Sequence, residues 1–128
     1  MESTWLCVLR KGDCYGQTFD GIGFVGGRTV TDEDLLCHVA DGTPVEARHP
    51  DTGDAWGVPA CGWVRESIVR NGGLWVRIEW NTKPPSQSHI VPTLRLGHVN
   101  IDRVVSLMPT DFPLNPGTGA LQASKSAV

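Results

Sequence analysis

The most regular alternation of hydrophobic and polar residues in this chain lies between positions 59 and 81. From 74 to 80 every even-numbered residue is apolar, and a period of two is typical of a strand with one buried face. A second alternating segment, 63–69, is separated from the first by Asn71 and Gly72, which tolerate the positive φ of a tight turn. The pattern predicts a β-hairpin that brings together charges of opposite sign, Arg65 or Glu66 with Glu79 or Arg77 according to the register.

Shorter patterns predict the remaining elements. Apolar runs bounded by turn residues predict strands at 5–10, 19–25, 44–49, 89–96 and 99–108. One short helix is expected to begin at Thr31, whose hydroxyl can cap free amides next to an acidic first turn. Its apolar side would consist of Leu35, Leu36 and Val39, and it would end before Asp41.

These elements predict a mainly β fold, a small single-domain β-barrel or sandwich with one short helix. The β-rich domain is expected to span residues 1–109. Residues 110–128 are rich in Pro, Gly and small polar residues, so they are expected to form an extended C-terminal arm that cannot pack a core alone. We expect such an arm to be held by another chain, which favours an assembly over a free monomer.

Composition excludes several classes of function. The chain has 128 residues and a formal net charge of −3, and no segment is dense in Lys or Arg, so no specific nucleic-acid partner is expected. The N-terminus carries Glu2 and only a six-residue apolar run, which fits neither a signal peptide nor a membrane span. We therefore expect synthesis in the cytoplasm, where thiols stay reduced, and no membrane association.

The four cysteines do not form a recognisable metal motif. Cys7, Cys14, Cys37 and Cys61 include no Cys-x-x-Cys pair, and the scattered histidines do not complete the spacing of a zinc finger or ribbon. Buried free thiols acting as small hydrophobic side chains are the favoured interpretation. No metal ion or cofactor is predicted. The segment 21–26 matches G-x-G-x-x-G, but no βαβ pattern surrounds it, so bending of a strand explains these glycines better than dinucleotide binding.

One histidine is a candidate for catalysis. His49 follows a predicted strand and precedes Asp51 and Asp54, so a carboxylate could orient it as a general base. The nucleophile would be one of the cysteines or a serine among Ser67, Ser86, Ser88 and Ser106. No Gly-x-Ser-x-Gly elbow is present, and the sequence favours a histidine in a surface turn over a catalytic one.

The aromatic residues are candidates for an interface. The chain has five tryptophans, and no basic residues surround them as a stacking platform for nucleic acid would require. Core and subunit packing is therefore favoured. The residues predicted to contact another chain are Trp5, Trp56, Trp63, Trp75, Phe112 and Leu114.

The order of short motifs over roughly residues 44–115 resembles the head-maturation (prohead) serine proteases of Mu-like phages. In that family a strand ending in acidic-aromatic-acidic-His leads through a polar loop to Pro-Ala-Ala-Gly-Trp-Ile. A hairpin ending in Gly-Leu-Trp-x-Arg-x-Glu-Trp-Thr follows. This chain has VEARH, a polar loop, PACGWV and then GGLWVRIEWN. The family's next motif, Tyr-x-Ser-Pro with the nucleophile, corresponds here to residues 89–93, and Val91 stands in place of the serine.

The resemblance implies a β-fold like that of a head protease, without the catalytic nucleophile, because a valine side chain cannot attack a carbonyl. His49 would remain as a relic of the catalytic group. A virion structural protein is then expected, a capsid decoration (cement) protein of a tailed phage. Its partners would be the major capsid protein and copies of itself, as a dimer or trimer. The alternatives are an active prohead serine protease using His49 with Ser88 or Ser106, and a small β-barrel adaptor that binds a peptide.

Overall fold

The computed structural model of the chain describes residues 3–13, 29–46, 60–82, 89–97 and 99–110. These residues contain a single 3-10 turn, Asp34–Leu36, and eight strands. The strands are β1 Ser3–Arg10, β2 Gly12–Asp13, β3 Thr29–Val30, β4 Pro44–Val45, β5 Gly62–Arg70, β6 Gly73–Trp80, β7 His89–Leu96 and β8 Ile101–Thr110. Several predictions fall outside the described residues: the strand at 19–25, the arm from 111, Cys14, His49, Trp56, Ser86, Ser88, Phe112 and Leu114.

Six of the strands form one curled sheet, a half-barrel in the order β1-β6-β5-β4-β8-β7. Neighbours in this sheet are antiparallel except β4 and β8, which run parallel with Val45 opposite Leu107. The curl brings the two edge strands, β1 and β7, close to each other. β2 and β3 pair separately as a two-stranded sheet. The prediction of a small, mainly β domain is confirmed, and the architecture is a half-barrel.

The predicted hairpin is formed by β5 and β6. Asn71 has φ 51° and Gly72 has φ 72°, so both central residues of the turn are left-handed, as a type I′ turn requires. The turn sets the register by placing Arg70 opposite Gly73. A β-bulge between Val64 and Glu66 then shifts the pairing by one residue.

The core lies on the inner face of the half-barrel. The even-numbered residues of β6 are all buried and the odd-numbered ones Trp75, Arg77 and Glu79 are half-buried, which confirms the predicted alternation. β7 is instead buried at five successive positions from Ile90 to Leu94, so both of its faces are covered. The fully buried large side chains are Leu6, Val8, Leu9, Val30, Leu35, Val45, Val64, Ile78, Ile90, Leu94 and Leu107.

The prediction of a helix after Thr31 is wrong in its length. Only one 3-10 turn forms, and Cys37 already has an extended backbone with ψ 152°. The next residue, His38, donates its N–H to the carbonyl of Asp102 at 3.0 Å and accepts from the N–H of Val104 at 2.9 Å. This parallel bridge to β8 uses the backbone groups that a longer helix would need. Leu36 is consequently 73% exposed instead of lying on an apolar helix face.

The start of the last strand also differs from the prediction. β8 begins at Ile101, because the N–H of Gly97 bonds to the carbonyl of Asn100 at 2.8 Å and turns the chain before it. Val99, predicted to be the first strand residue, lies outside the strand and is 80% exposed. The strand runs to Thr110, paired with His89, so the sheet extends one residue past the predicted domain boundary.

Gly73 packs against Cys7 too closely for a side chain. A Cβ at this position would lie 2.7 Å from the sulfur of Cys7. We expect Gly73→Ala to lower the free energy of unfolding by about 1–3 kcal/mol through overpacking. In a Cys7→Ala background the same substitution should cost clearly less, because the sulfur is gone. Urea unfolding of the four proteins in this cycle measures the difference, and equal costs in both backgrounds would contradict the contact.

Candidate interaction face

Three of the predicted interface tryptophans lie on one outer surface of the sheet. The residues of β6 that point away from the core are Trp75, Arg77 and Glu79, and strand pairing places Trp5 of β1 beside Arg77 and Trp63 of β5 beside Glu79. All three tryptophans are half-buried. We call this surface the tryptophan face, and it comprises Trp5, Trp63, Glu66, Ile68, Trp75, Arg77 and Glu79.

Trp80 shows why these tryptophans lie outside. It is on the opposite side of β6, is 4% exposed, and donates its indole N–H to the hydroxyl of Thr4 at 2.9 Å. Trp75 lies five residues earlier in the same strand, so the pleat directs it to the other face. The sheet therefore divides the hairpin's tryptophans into one core residue, Trp80, and two that remain available for contact, Trp63 and Trp75.

Ion pairs across the strands neutralise the charge of the tryptophan face. Arg77 binds the Glu66 carboxylate with Nη2–Oε1 at 2.8 Å, and its Nη1 donates to the Ser3 hydroxyl at 3.0 Å. Arg65 lies 3.7 Å from the Glu79 carboxylate and 3.3 Å from that of Asp41. Both predicted pairings are thus present. Each exposed pair is worth about 0.2–1 kcal/mol, so they orient side chains more than they stabilise the fold.

The position that matches the family's nucleophile is part of the core. Val91 is 2% exposed and lies opposite Met108 in the β7–β8 ladder. Ser106, an alternative nucleophile, is fully buried and its hydroxyl has no hydrogen-bond partner. A substrate peptide cannot reach either position in this fold. Ser67 is exposed near the end of β5, while the other candidates, His49, Ser86 and Ser88, lie outside the described residues.

The described cysteines are free thiols held in their neutral form. Burial, together with the nearby Asp34 carboxylate, raises the pKa of Cys37 to about 11. Burial also raises the pKa of Cys7 and Cys61 above the usual value. Because the thiolate is the reactive species, these three thiols are poor nucleophiles at neutral pH. The prediction that they act as small hydrophobic side chains agrees with their buried and half-buried positions.

The described residues hold few other features that could form a site. No three His, Cys, Asp or Glu side chains among them are close enough to bind a metal ion. No helix in this part of the chain is long and apolar enough to cross a membrane. A cavity of about 240 Å³ lies beside β4 and β8, lined in part by His38, Asp41 and Arg103. This volume is below the roughly 300–1,000 Å³ of typical small-molecule sites. A second cavity, of about 310 Å³ and lined in part by Lys11 and Asp32, only just reaches that range and opens widely to solvent. The tryptophan face is therefore the stronger candidate.

One feature of this surface was missed from the sequence. β5 was expected to alternate along its whole length, yet every residue from Arg65 to Arg70 is exposed. Ile68 and Val69 are adjacent apolar residues, and their exposed fractions are 47% and 43%. Adjacent residues of a strand point to opposite faces, so two exposed ones indicate that the strand projects past the core.

No protein-family model, curated protein or solved structure matches this chain.

Proposed function

We propose that this chain is a capsid decoration (cement) protein of a tailed phage that stabilises the lattice of the major capsid protein. The tryptophan face is the observation that carries the proposal. Half-buried tryptophans on a rigid sheet can insert into pockets of a partner with little loss of conformational freedom, and Trp is enriched among residues that dominate interface energies. The ion-pair network beside them holds three carboxylates and two guanidinium groups, so it has no excess of positive charge and suits a protein partner better than a nucleic acid.

The order of motifs supports the phage assignment of this proposal. The sequence motifs PACGWV and GGLWVRIEWN overlap β5 and β6 and include residues adjoining these strands. The resemblance therefore coincides with the strands that carry most of the tryptophan face. The residue in the nucleophile's place, Val91, is a core side chain. These two observations favour a head-protease body used for binding over one used for peptide hydrolysis.

The mechanism is binding without catalysis. The tryptophan face would supply an apolar contact to the major capsid protein, and the arm of residues 111–128 would extend onto neighbouring chains by adding to their sheets. Self-association as a dimer or trimer would match the symmetry axes of a capsid. The protein would then reside in the virion and need no cofactor.

The test of this proposal is the amount of the chain in purified heads. We expect a stoichiometric ratio to the major capsid protein in particles of the phage that encodes it, measured by quantitative mass spectrometry. Deleting residues 111–128 preserves all of β8 and should release the protein from heads. His49→Ala should leave both binding and head maturation unchanged. A trace ratio in mature particles, or loss of scaffold cleavage in His49→Ala, would instead support the protease.

A further inference from the structure

Within the part of the chain that the structure describes, the distal half of β5 is an open edge of the sheet. On this side of β5, β4 pairs only with Gly62 and Trp63, and the last bonds join Val64 to Gly42 and Thr43 at 2.7 and 2.8 Å. Beyond Val64, no described strand lies against the outer side of β5. An open strand with exposed apolar side chains is a template for pairing with another chain.

The hairpin geometry determines which backbone groups face outward. In a two-residue hairpin the closing pair, here Arg70 and Gly73, exchanges hydrogen bonds, and bonded and non-bonded pairs then alternate along the ladder. Ile68 is therefore bonded to β6. The N–H and C=O groups of Ser67 and Val69 point away from β6, toward the open side.

This alternation leaves one favourable register for two copies of the strand. In antiparallel pairing, outward-facing residues must lie opposite outward-facing residues. A two-fold axis through Ile68 places Ser67 of each copy opposite Val69 of the other, so that both residues are fully bonded. An axis through Ser67 would instead place Val69 against the bulge residue Arg65, and an axis through Val69 would place Ser67 against the turn residue Asn71.

The same register brings opposite charges together. Glu66 falls opposite Arg70 of the second copy, and by symmetry this contact occurs twice. Ile68 meets Ile68 between the two charge pairs, on the face that also carries Trp75. The Glu66 side chain is 57% exposed although it binds Arg77, so its carboxylate can accept a further bond. Charges on an edge strand usually discourage pairing with another chain. Here the two-fold axis places each acidic residue opposite a basic residue of the second copy, so the charges favour pairing.

We propose that two copies of this chain form a dimer by antiparallel pairing of β5 with β5 about a two-fold axis at Ile68. The paired segment is short, from Glu66 to Arg70, so the dimer belongs to the class of small, reversible interfaces. It joins the two half-barrels into one continuous sheet and places both tryptophan faces on the same side of that sheet. The dimer is a more specific form of the self-association in the proposed function. It depends on that proposal only for the statement that it is located in the capsid.

Charge reversal tests the register. Glu66→Arg alone and Arg70→Glu alone each place like charges at both contacts, and each should raise the dimer dissociation constant by about tenfold or more. An equimolar mixture of the two variants restores opposite charges at both contacts, so it should form a heterodimer about as tight as the unmodified dimer. Sedimentation equilibrium over micromolar to millimolar concentrations measures all four samples, and circular dichroism checks that each variant is folded.

Cysteine cross-linking tests the axis independently. Residues facing each other in a non-hydrogen-bonded pair have Cα atoms about 4.5 Å apart, within the range of a disulfide. Ile68→Cys should therefore give a covalent dimer under mild oxidation. Val69→Cys is the matched control, because in this register it lies opposite Ser67 and should not cross-link. The unmodified chain measures any background from its own cysteines.

Two results would overturn the proposal. One is a chain that stays monomeric at every concentration, which would mean that the charges protect the edge. The other is a dimer that ignores both charge reversals or cross-links equally through Ile68→Cys and Val69→Cys, which would mean that another surface is used. These experiments use the purified chain without capsids, so a negative result removes the dimer and leaves capsid binding to its own test.

Discussion

Replacing Trp80 with alanine is expected to lower the free energy of unfolding by about 3–5 kcal/mol. The indole is 4% exposed within the core cluster, so its removal leaves a large cavity in a sheet that pairs on both sides of β6. The substitution also removes the hydrogen bond from the indole N–H to the hydroxyl of Thr4. Urea unfolding followed by far-ultraviolet circular dichroism measures the loss.

Trp75→Ala is the matched control for this prediction. Trp75 belongs to the same strand but to the opposite, half-buried face, so its removal should cost distinctly less than that of Trp80. Trp80→Phe should fall between the two, because it keeps a six-membered aromatic ring in the core but loses the rest of the indole and its bond to Thr4. Equal losses for the two alanine variants would contradict the assignment of Trp80 to the core and Trp75 to the tryptophan face.

Asp34→Ala is expected to cost about 2–4 kcal/mol of unfolding free energy. The carboxylate of Asp34 is fully buried and accepts the N–H of Ile101 at 2.8 Å and that of Thr31 at 2.9 Å. Removing it leaves the buried N–H of Ile101 and the partly buried N–H of Thr31 without this acceptor, and releases the 3-10 turn from the start of β8. Native-state hydrogen exchange should show the amide of Ile101 losing protection first.

Two variants serve as controls for Asp34. Asp34→Asn keeps the shape but offers one acceptor oxygen where the carboxylate offers two, so it should recover only part of the lost stability. Asp32→Ala removes an exposed acid whose side chain lies 3.4 Å from Lys11, and its effect should stay within about 0.5 kcal/mol. A loss for Asp34→Ala no larger than that for Asp32→Ala would show that the buried bonds contribute little.

The buried carboxylate also explains why the predicted helix stops early. Thr31 and Asp34 do form the reciprocal contacts of a helix start, with the Asp34 N–H 3.3 Å from the Thr31 hydroxyl. The sequence therefore indicated the capping role of the Thr31 hydroxyl, although the 3-10 turn itself begins three residues later, at Asp34. It carried no sign that Asp34 would bind Ile101, 67 residues away, or that His38 would pair with β8. Those long-range bonds outweigh the weak helix preference of a short segment.

The candidate site, too, could be predicted from the sequence only in part. The alternation of β6 and the period of two were sufficient to separate Trp80 from Trp75, because side-chain direction in a strand follows from local geometry. The gathering of Trp5 and Trp63 beside them depends on β1 and β5 flanking β6. Motif order suggested a protease body, but only the fold shows that Val91 and Ser106 are sealed in the core. The resemblance itself stays a prediction.

By itself the sequence determined the local features of this protein: the presence of its five longer strands, the Asn71-Gly72 turn and the two faces of β6. Each follows from backbone preferences or from a side-chain period that operates within a few residues. The tertiary structure decided three other features: the insertion of β4 between β5 and β8, where it runs parallel to β8 alone, the shortening of the helix, and the edge at Ile68 that no described strand covers. Those features depend on contacts between residues that are distant in the sequence. The stability of such contacts depends on the whole core and not on any one segment.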